Sequence, residues 1–472
     1  MNFEAVIGLE IHVQMKTKSK MFSSGPASFS HAPNVNVAPF DMAFPGTMPS
    51  LNEEAVVKAI QLCNALNMEI DRTLVFDRKN YYYSDLPKNY QITQETYPIG
   101  RMGILNINDP GEIPHYIKIN RAHLEEDTCK QIHENSKTLI DYNRAGVPLI
   151  ELVTEPVIKS GIEASKFVEK IRSIVTFLGI SNGKMEEGSL RCDINISLKD
   201  KNSSILGTKV EIKNINSISN IKKAIDFEIS RQSLILNNNG KIIQETRRFD
   251  DLNNETVAMR IKSDNIDYRC FIDPNIPPFI ITDIFYESAM KSCRMLPDKI
   301  ICNLLEMGLS ISTCKFLTSN YDTYSYFNEL IQYGCDCQIS ANWMSTTVQS
   351  YLNSNNMNIR NFKISSKNLS KMIIMIQEKF ISHKFARDVF QMMLENDIDA
   401  TTVVQLLTKD NQPQNLDLII NEVIKQNQKS IEDYKNGKDR ALGYLVGQVL
   451  KQCSAITSPQ EVKNILLKKM EE

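Results

Sequence analysis

An α+β chain, β-rich first and helical afterwards, is predicted by three features of the 472-residue sequence. Up to about residue 293, short apolar runs alternate with polar residues and are broken by Pro, Gly and Asn-Asp turns, the period-2 pattern of half-buried strands. From about residue 294, apolar residues recur at helical spacing and Gly and Pro thin out. No apolar run approaches the ~20 residues of a membrane-spanning helix. The length favours several domains, placed here at 1–293 (β-rich, mixed sheet), 294–397 (all-helical) and 398–472 (a helical tail).

Strands are expected at Val6 to Val13, Ile113 to Ile119, Leu190 to Leu198 and Thr208 to Ile212, where apolar residues fall on every second position. Asn52 to Met68 breaks that rhythm. Its Ala55, Val56, Ala59, Ile60, Cys63 and Leu66 form one helical face. Ile162 to Leu178 repeats the pattern, and a third helix is expected over Ser219 to Leu236, ending at Asn237-Asn238-Asn239-Gly240. Later helices are expected at Leu296 to Met307, Thr323 to Tyr333 and Ala341 to Asn353. Another should start at Ser366, and the stretch Lys409 to Gln414 reads as a polar break.

Composition narrows the function classes. There are 54 Lys+Arg against 56 Asp+Glu, a net charge of -2, and a pI near 6.4. A polybasic binder is excluded, while a local basic patch that meets RNA is not. The 10 cysteines show no disulfide framework, only Cys335-Asp336-Cys337 pairs closely, and no zinc site is expected there. Met1 to Glu4 lacks the charged and apolar regions of a secretory signal, so the expected compartment is a reducing cytoplasm, with no membrane partner.

The acidic residues carry the chemistry. Glu10 and His12 lie two apart in Val6-Ile7-Gly8-Leu9-Glu10-Ile11-His12-Val13, so on a strand they share one face while Leu9, Ile11 and Val13 share the other. An ion pair at a strand end is the plain reading, and a metal or catalytic site the sharper one. Glu125-Glu126-Asp127, Glu151, Glu186-Glu187, Asp193 and Glu211 occupy similar surroundings, although acidic residues are depleted from strands. A cluster of carboxylates repels itself unless cations neutralise it, and hard oxygen ligands suit Mg²⁺. Lys184, Arg191, Lys209, Lys213, Arg247 and Arg248 lie in the same region and suit phosphate. No G-x-x-x-x-G-K-[ST] or G-x-G-x-x-G occurs, so phosphates are handled without a P-loop. Tyr81-Tyr82-Tyr83, flanked by Lys79 and Lys88, is either a stacking surface or aromatic core.

These residues are not arranged at random. Val6 to Gln14 resembles the opening of the GatB family (GatB/GatE), the tRNA-binding, kinase-like component of the aspartyl/glutamyl-tRNA amidotransferases. Asp141-Tyr142-Asn143-Arg144-Ala145-Gly146-Val147-Pro148-Leu149-Ile150-Glu151 resembles that family's D-x-N-R-x-G-x-P-L-aliphatic-E signature. Phe76 to Gln91, Lys184 to Asp193, Gln244 to Phe249 and Ser430 to Lys451 match as well, so the resemblance covers essentially the whole chain.

The resemblance implies an ATP-dependent ligase acting on misacylated tRNA. The side-chain carboxylate of Glu-tRNA(Gln), or of Asp-tRNA(Asn), would be phosphorylated and then amidated. Ammonia would come from a partner amidase that hydrolyses glutamine, with a small bridging protein completing a heterotrimer. It implies that His12, Glu126 and Glu151 hold one Mg²⁺, and that Glu10, Glu125, Asp193 and Glu211 lie at or near a second. The choice between Glu125 and Glu126 stays open, since strand neighbours face opposite ways. Lys79, Lys184, Arg191, Lys209 and Lys213 would bind the nucleotide. The tail would be YqeY-like, with Lys435, Lys438 and Arg440 meeting tRNA. Where many members carry a zinc knot, this chain has Ser23, Gly25, Ala38 and Asp41, so no structural zinc is expected. A non-catalytic tRNA-binding scaffold is the alternative role. The archaeal-type GatE form is disfavoured by the uninterrupted layout.

Overall fold

The computed structural model describes residues 3–30, 32–261, 268–409, 416–435, 439–452 and 459–471. The chain divides into two compact units, Met1–Cys302 and Asn303–Glu472. The first is the β-rich one, as expected from the alternating runs. The second is helical, and the polar break falls largely at 410–415, outside the described residues.

A nine-stranded sheet organises the first unit. Across it run Glu255–Ile261, Glu245–Asp250, Val210–Lys213, Leu190–Asp200, Phe3–Gln14, Pro148–Thr154, Tyr116–Glu126, Gly100–Asn106 and Glu69–Ile70. Neighbours pair antiparallel except Val210–Lys213 with Glu245–Asp250, which makes the sheet mixed. The first strand lies centrally and alternates strictly. Ala5, Ile7, Leu9, Ile11 and Val13 are buried, while Glu10, His12 and Gln14 are partly exposed on the other face.

The buried face supports the helices Glu53–Ala65, Gly161–Phe177 and Ile218–Asn237, whose apolar stripes join one core with Leu124, Ile150, Leu152, Ile194, Ile196 and Ile212. Each fully buried Leu or Ile contributes roughly 1.5–3 kcal/mol. Each helix starts where its sequence supplies a cap. Asn52, Ser160 and Ser217 accept from the backbone N–H of Ala55, Glu163 and Asn220. The strand expected at Ile113 begins instead at Tyr116 and runs to Glu126. Asn108 and Asn106 tie the preceding turn to Ile113 and His115, which delays the start.

In the second unit, capped helices follow one another. Ser310, Asn320, Asp336, Ser365 and Ser382 each cap a helix start. Asp336 thus makes Cys335-Asp336-Cys337 a helix entrance, with Cys335 buried. The stretch read as one helix over Ala341 to Asn353 contains a π turn at Met344–Val348. The last helices, Leu416–Gln426, Gln428–Lys435, Asp439–Gln452 and Pro459–Glu471, pack Ile420, Val423, Leu445, Val449, Val462 and Leu466 together.

Between the first strand and the first helix, the chain from Met15 to Asn52 is held by charge. The Lys20 ammonium is completely buried, 3.0 Å from Asp41 Oδ2 and 3.4 Å from the Tyr142 carbonyl. Ser23 Oγ donates to Asp41 Oδ1 at 2.7 Å and the Ala38 N–H donates to Oδ2 at 2.8 Å. Gly146 passes alongside at φ +81°, where a Cβ would lie 3.0 Å from Asp41 Oδ1 and 3.3 Å from Lys20 Cδ. Asp41 is therefore the hub that Ser23, Gly25 and Ala38 surround. Breaking a buried pair strands a charge, so Asp41→Ala is expected to lower unfolding stability by roughly 3–5 kcal/mol. Adding Lys20→Met to that variant should restore part of the loss, because the stranded ammonium is gone. Denaturant unfolding followed by circular dichroism checks both.

Candidate active site

The register of the central strands builds the site. His12 lies opposite Glu151 on one side and Arg191 on the other, and Glu151 lies opposite His123. One row across four strands therefore reads Arg191, His12, Glu151, His123. The next row on this face pairs Glu10 with Asp193, and the row beyond it pairs Asn195 with Glu211. All of these side chains rise from the face opposite the apolar core.

Two clusters result. In the first, His12 Nε2 lies 3.4 Å from Glu151 Oε2 and 3.6 Å from Glu125 Oε1. His123 Nε2 approaches Glu151 Oε2 to 3.0 Å and Glu125 Oε2 to 3.9 Å. In the second, ligand atoms of Glu10, Asp193 and Glu211 lie within 4.8 Å of one another, the same spacing found for His12, Glu125 and Glu151. Asn195 Nδ2 donates to Glu10 Oε1 at 2.8 Å and Thr246 Oγ1 to Glu211 Oε2 at 3.0 Å. Lys213 Nζ sits 2.7 Å from Asp193 Oδ2 and 3.2 Å from Glu211 Oε1.

Glu126 belongs to neither cluster. The resemblance sets it beside His12 and Glu151, but it points to the opposite face, accepting from Lys88 Nζ at 2.7 Å and from the Ile92 N–H at 3.0 Å. Glu125, also expected near the second cluster, belongs to the first instead. Strand alternation is the reason: the parity that aims His123 at Glu151 aims Glu125 there too.

The cationic residues divide. Arg191 Nη2 lies 3.1 Å from the buried Asp127, close enough to His12 for its charge to oppose the imidazolium. Lys79 lies 4.9 Å over the Tyr268 ring, and its charge is felt at Glu125. Lys213 is within the second cluster. Lys184 is not brought in, as it is exposed and paired with Glu187 at 2.6 Å. Lys209 is exposed just before its strand. Of the aromatic run, Tyr81 packs edge-on to Tyr83 and Tyr268, whereas Tyr82 is open to solvent. In the tail, Arg440 is exposed, Lys435 closes the helix Gln428–Lys435, and Lys438 lies outside the described residues.

The sequence reading missed His123. Its ring is buried, its Nε2 is committed to the carboxylates, and Nδ1 has no hydrogen-bond partner among the described residues. The available signal was the pair His123-x-Glu125, the reverse of Glu10-x-His12 at the same period.

The Asp141 to Glu151 motif is the clasp that delivers Glu151. Asp141 Oδ1 accepts the N–H groups of Asn34 and Asn143. Asn143 holds Ala32 and Asn36, and Arg144 donates to the carbonyls of Thr128 and Cys129 at 2.8 Å. The chain then enters Pro148–Thr154, whose register holds through Glu151 to Val153 and shifts only between Val153 and Thr154.

Comparison with known families decides the kinship. Residues 5–287 match the model of the GatB/GatE catalytic domain, and residues 325–470 match that of the GatB domain of YqeY type. The chain belongs to the GatB/GatE family. It is 42% identical over 477 residues to a Mesoplasma florum protein named as the B subunit of aspartyl/glutamyl-tRNA(Asn/Gln) amidotransferase, covering 100% of this chain and 99% of that one. Proteins of the same name from Staphylococcus aureus and Staphylococcus saprophyticus are 42% identical over 474 residues, covering both chains completely.

The GatB-type site is electrostatically uneven. Burial works to raise Glu151, yet hydrogen bonds and charge from His12 and His123 outweigh it and hold this carboxyl well below its usual range. Burial raises Glu125, with the Glu151 charge adding to it against the histidines. Burial also works against the His12 imidazolium, but Glu151 and then Glu125 push its pKa up to about 9 from 6.5. Protonated His12 therefore supports the fold fully below pH 6.5, and that support is lost as pH rises through about 9. In cation-free protein, the His12 ring resonances in NMR should titrate near 9, and Glu151→Gln should move the transition towards 6.5. An unshifted midpoint in that variant would refute the pairing.

Proposed function

We propose that the chain is the GatB component of a tRNA amidotransferase, the activity named for its relatives, and that it works with ATP and with glutamine as the nitrogen source. One observation carries this reading: two carboxylate clusters and two cations, Arg191 and Lys213, rise from adjacent strands on a single sheet face. A carboxylate does not acylate ammonia in neutral water, because the pair merely forms a salt. Activation is therefore needed. The γ-phosphoryl of ATP passes to a side-chain carboxylate oxygen of the tRNA-borne Glu or Asp, breaking its bond to the β-phosphate oxygen and releasing ADP. Ammonia then attacks the acyl carbon, the bond to phosphate breaks, and a proton leaves the new amide.

The donor sets suit divalent cations. His12, Glu125 and Glu151 would hold one Mg²⁺, and Glu10, Asp193 and Glu211 a second, with imidazole the less usual ligand for so hard an ion. Bound there, Mg²⁺ supplies positive charge against the spreading negative charge of the transferring phosphoryl. His123 fixes the Glu151 carboxylate by hydrogen bonding, in the manner of groups that orient ligands from behind. Arg191 and Lys213 present cationic donors to phosphate oxygens, and Lys79 stands beside Tyr268 where a base or ribose can stack.

Among the partners, a glutamine-hydrolysing amidase would supply ammonia and a small bridging protein would complete the heterotrimer. The tail, through Lys435, Lys438 and Arg440, would meet the tRNA body. Cytoplasmic location fits an aminoacyl-tRNA substrate. Among the described residues, no helix is long and apolar enough to cross a membrane.

With both partner proteins, Glu-tRNA(Gln), ATP, Mg²⁺ and glutamine, the chain should form Gln-tRNA(Gln). Glu151→Gln should abolish that product while tRNA binding in a filter assay stays near wild type. Lost binding with retained turnover would overturn the assignment, and unchanged turnover would favour a scaffold. Arg440→Ala should weaken tRNA binding for every sequence alike and lower the salt dependence by about one phosphate contact. An unchanged salt slope would remove this residue from the RNA surface.

A further inference from the structure

The two carboxylate clusters are not equivalent. The first contains no lysine or arginine within ion-pair distance of Glu125 or Glu151 among the described residues, and the histidines alone approach those two. The second already contains a cation. Lys213 Nζ lies 2.7 Å from Asp193 Oδ2 and 3.2 Å from Glu211 Oε1, joining two of the three carboxylates that define the cluster. An ammonium so placed is a stand-in ion, monovalent and tethered.

A divalent ion held by the same oxygens would lie about 2.0–2.6 Å from each, within strong repulsion of the ammonium. The two cannot share the cluster comfortably. Lys213 is also built to leave. It is the last residue of the strand Val210–Lys213, and the chain turns immediately afterwards at Asn214, whose φ is +61°. About a third of its side chain meets solvent. Its flexible four-carbon stem can therefore swing outward without unpairing the sheet. Neither Asp193 nor Glu211 would be stranded by this departure if a divalent ion took over their charge. The ammonium, in turn, would need an anion, and a phosphate arriving with the ion supplies one.

We infer that Lys213 is an internal counter-ion of the Glu10–Asp193–Glu211 cluster, exchanged for a divalent cation on site loading, and that the exchange makes cation entry depend on a polyphosphate bound alongside. This deepens the proposed function and rests on its reading of that cluster as a cation site. The coupling is reciprocal: nucleotide tightens the ion, and the ion tightens the nucleotide, through one lysine. Lys213 is thus a binding residue whose charge is used twice, on carboxylates before loading and on phosphate after it.

The test uses full-length chain carrying Glu125→Gln and Glu151→Gln, which leaves the first cluster without a carboxylate, with Mn²⁺ as the probe. Free Mn²⁺ is followed by electron paramagnetic resonance, with and without a non-hydrolysable ATP analogue. In this background Mn²⁺ should bind weakly alone and about tenfold or more tightly with the analogue. Adding Lys213→Met should tighten Mn²⁺ about tenfold without nucleotide, since one competing charge is gone. The same substitution should abolish most of the nucleotide effect. Lys213→Arg, which keeps the charge, should retain weak binding and the nucleotide effect. Equal Mn²⁺ affinity and equal nucleotide dependence with and without Lys213→Met would overturn the exchange and leave the cation site standing. No Mn²⁺ binding in either background, with or without nucleotide, would overturn both.

Discussion

Like charges gathered on one face of a sheet set the terms for everything else in the first unit. Glu10, Glu125, Glu151, Asp193 and Glu211 stand on adjacent strands. Uncompensated, they would repel strongly in so poorly hydrated a place. The chain compensates locally, with His12 and His123 on Glu151 and Lys213 on Asp193 and Glu211. Arg191 is itself balanced by Asp127, which keeps the row of His12 from becoming too basic. The site is thus held in a state of partial neutralisation, with five carboxylates facing two histidines and one lysine.

Much of this arrangement was legible because a strand has a period of two. In Val6 to Val13, an apolar residue on every odd position fixes which face is core, and Glu10 and His12 then have only one place to go. The same logic isolates Glu151 between Ile150 and Leu152, Asp193 between Cys192 and Ile194, and Glu211 between Val210 and Ile212. It fails at Leu124-Glu125-Glu126-Asp127, where acids occupy both parities and no local pattern selects between them. The selection is made from elsewhere in the chain, by Lys88 drawing Glu126 to one face and His123 facing Glu151 on the other. Which strands neighbour one another was illegible for the same reason. Register is a long-range property, and Phe3–Gln14 pairs with strands more than a hundred residues away.

The Lys20–Asp41 hub makes the complementary point. From the sequence, Ser23, Gly25, Ala38 and Asp41 reveal only that no set of thiolates gathers there. Nothing local indicates that a lysine two residues beyond an exposed stretch will be fully buried, since lysine is rarely inside unless paired. The pairing supplies what a metal would supply, a buried cation that several loop segments converge upon. It differs in its consequence. An ion pair brings a desolvation cost on both partners, so it orders the loop rather than stabilising it greatly. Burial accordingly pulls the Lys20 ammonium pKa down, against the opposing charge of Asp41.

The order imposed there reaches the candidate site through one short segment. Asp41 and Lys20 crowd Gly146, and Met21 N–H donates to the Gly146 carbonyl, while the Gly146 N–H donates to the Asp127 carbonyl. Asp127 is the partner of Arg191, and Gly146 lies five residues before Glu151. A side chain at Gly146 would collide with the hub and demand a backbone that L-residues rarely adopt. The signature motif is therefore a mechanical linkage. Asp141, Asn143 and Arg144 lock the loop, Gly146 lets the loop touch the buried pair, and Pro148 starts the strand that carries Glu151 to His12. Such backing fixes where the Glu151 carboxylate stands before anything binds, so a partner meeting it would pay no ordering cost for its backbone.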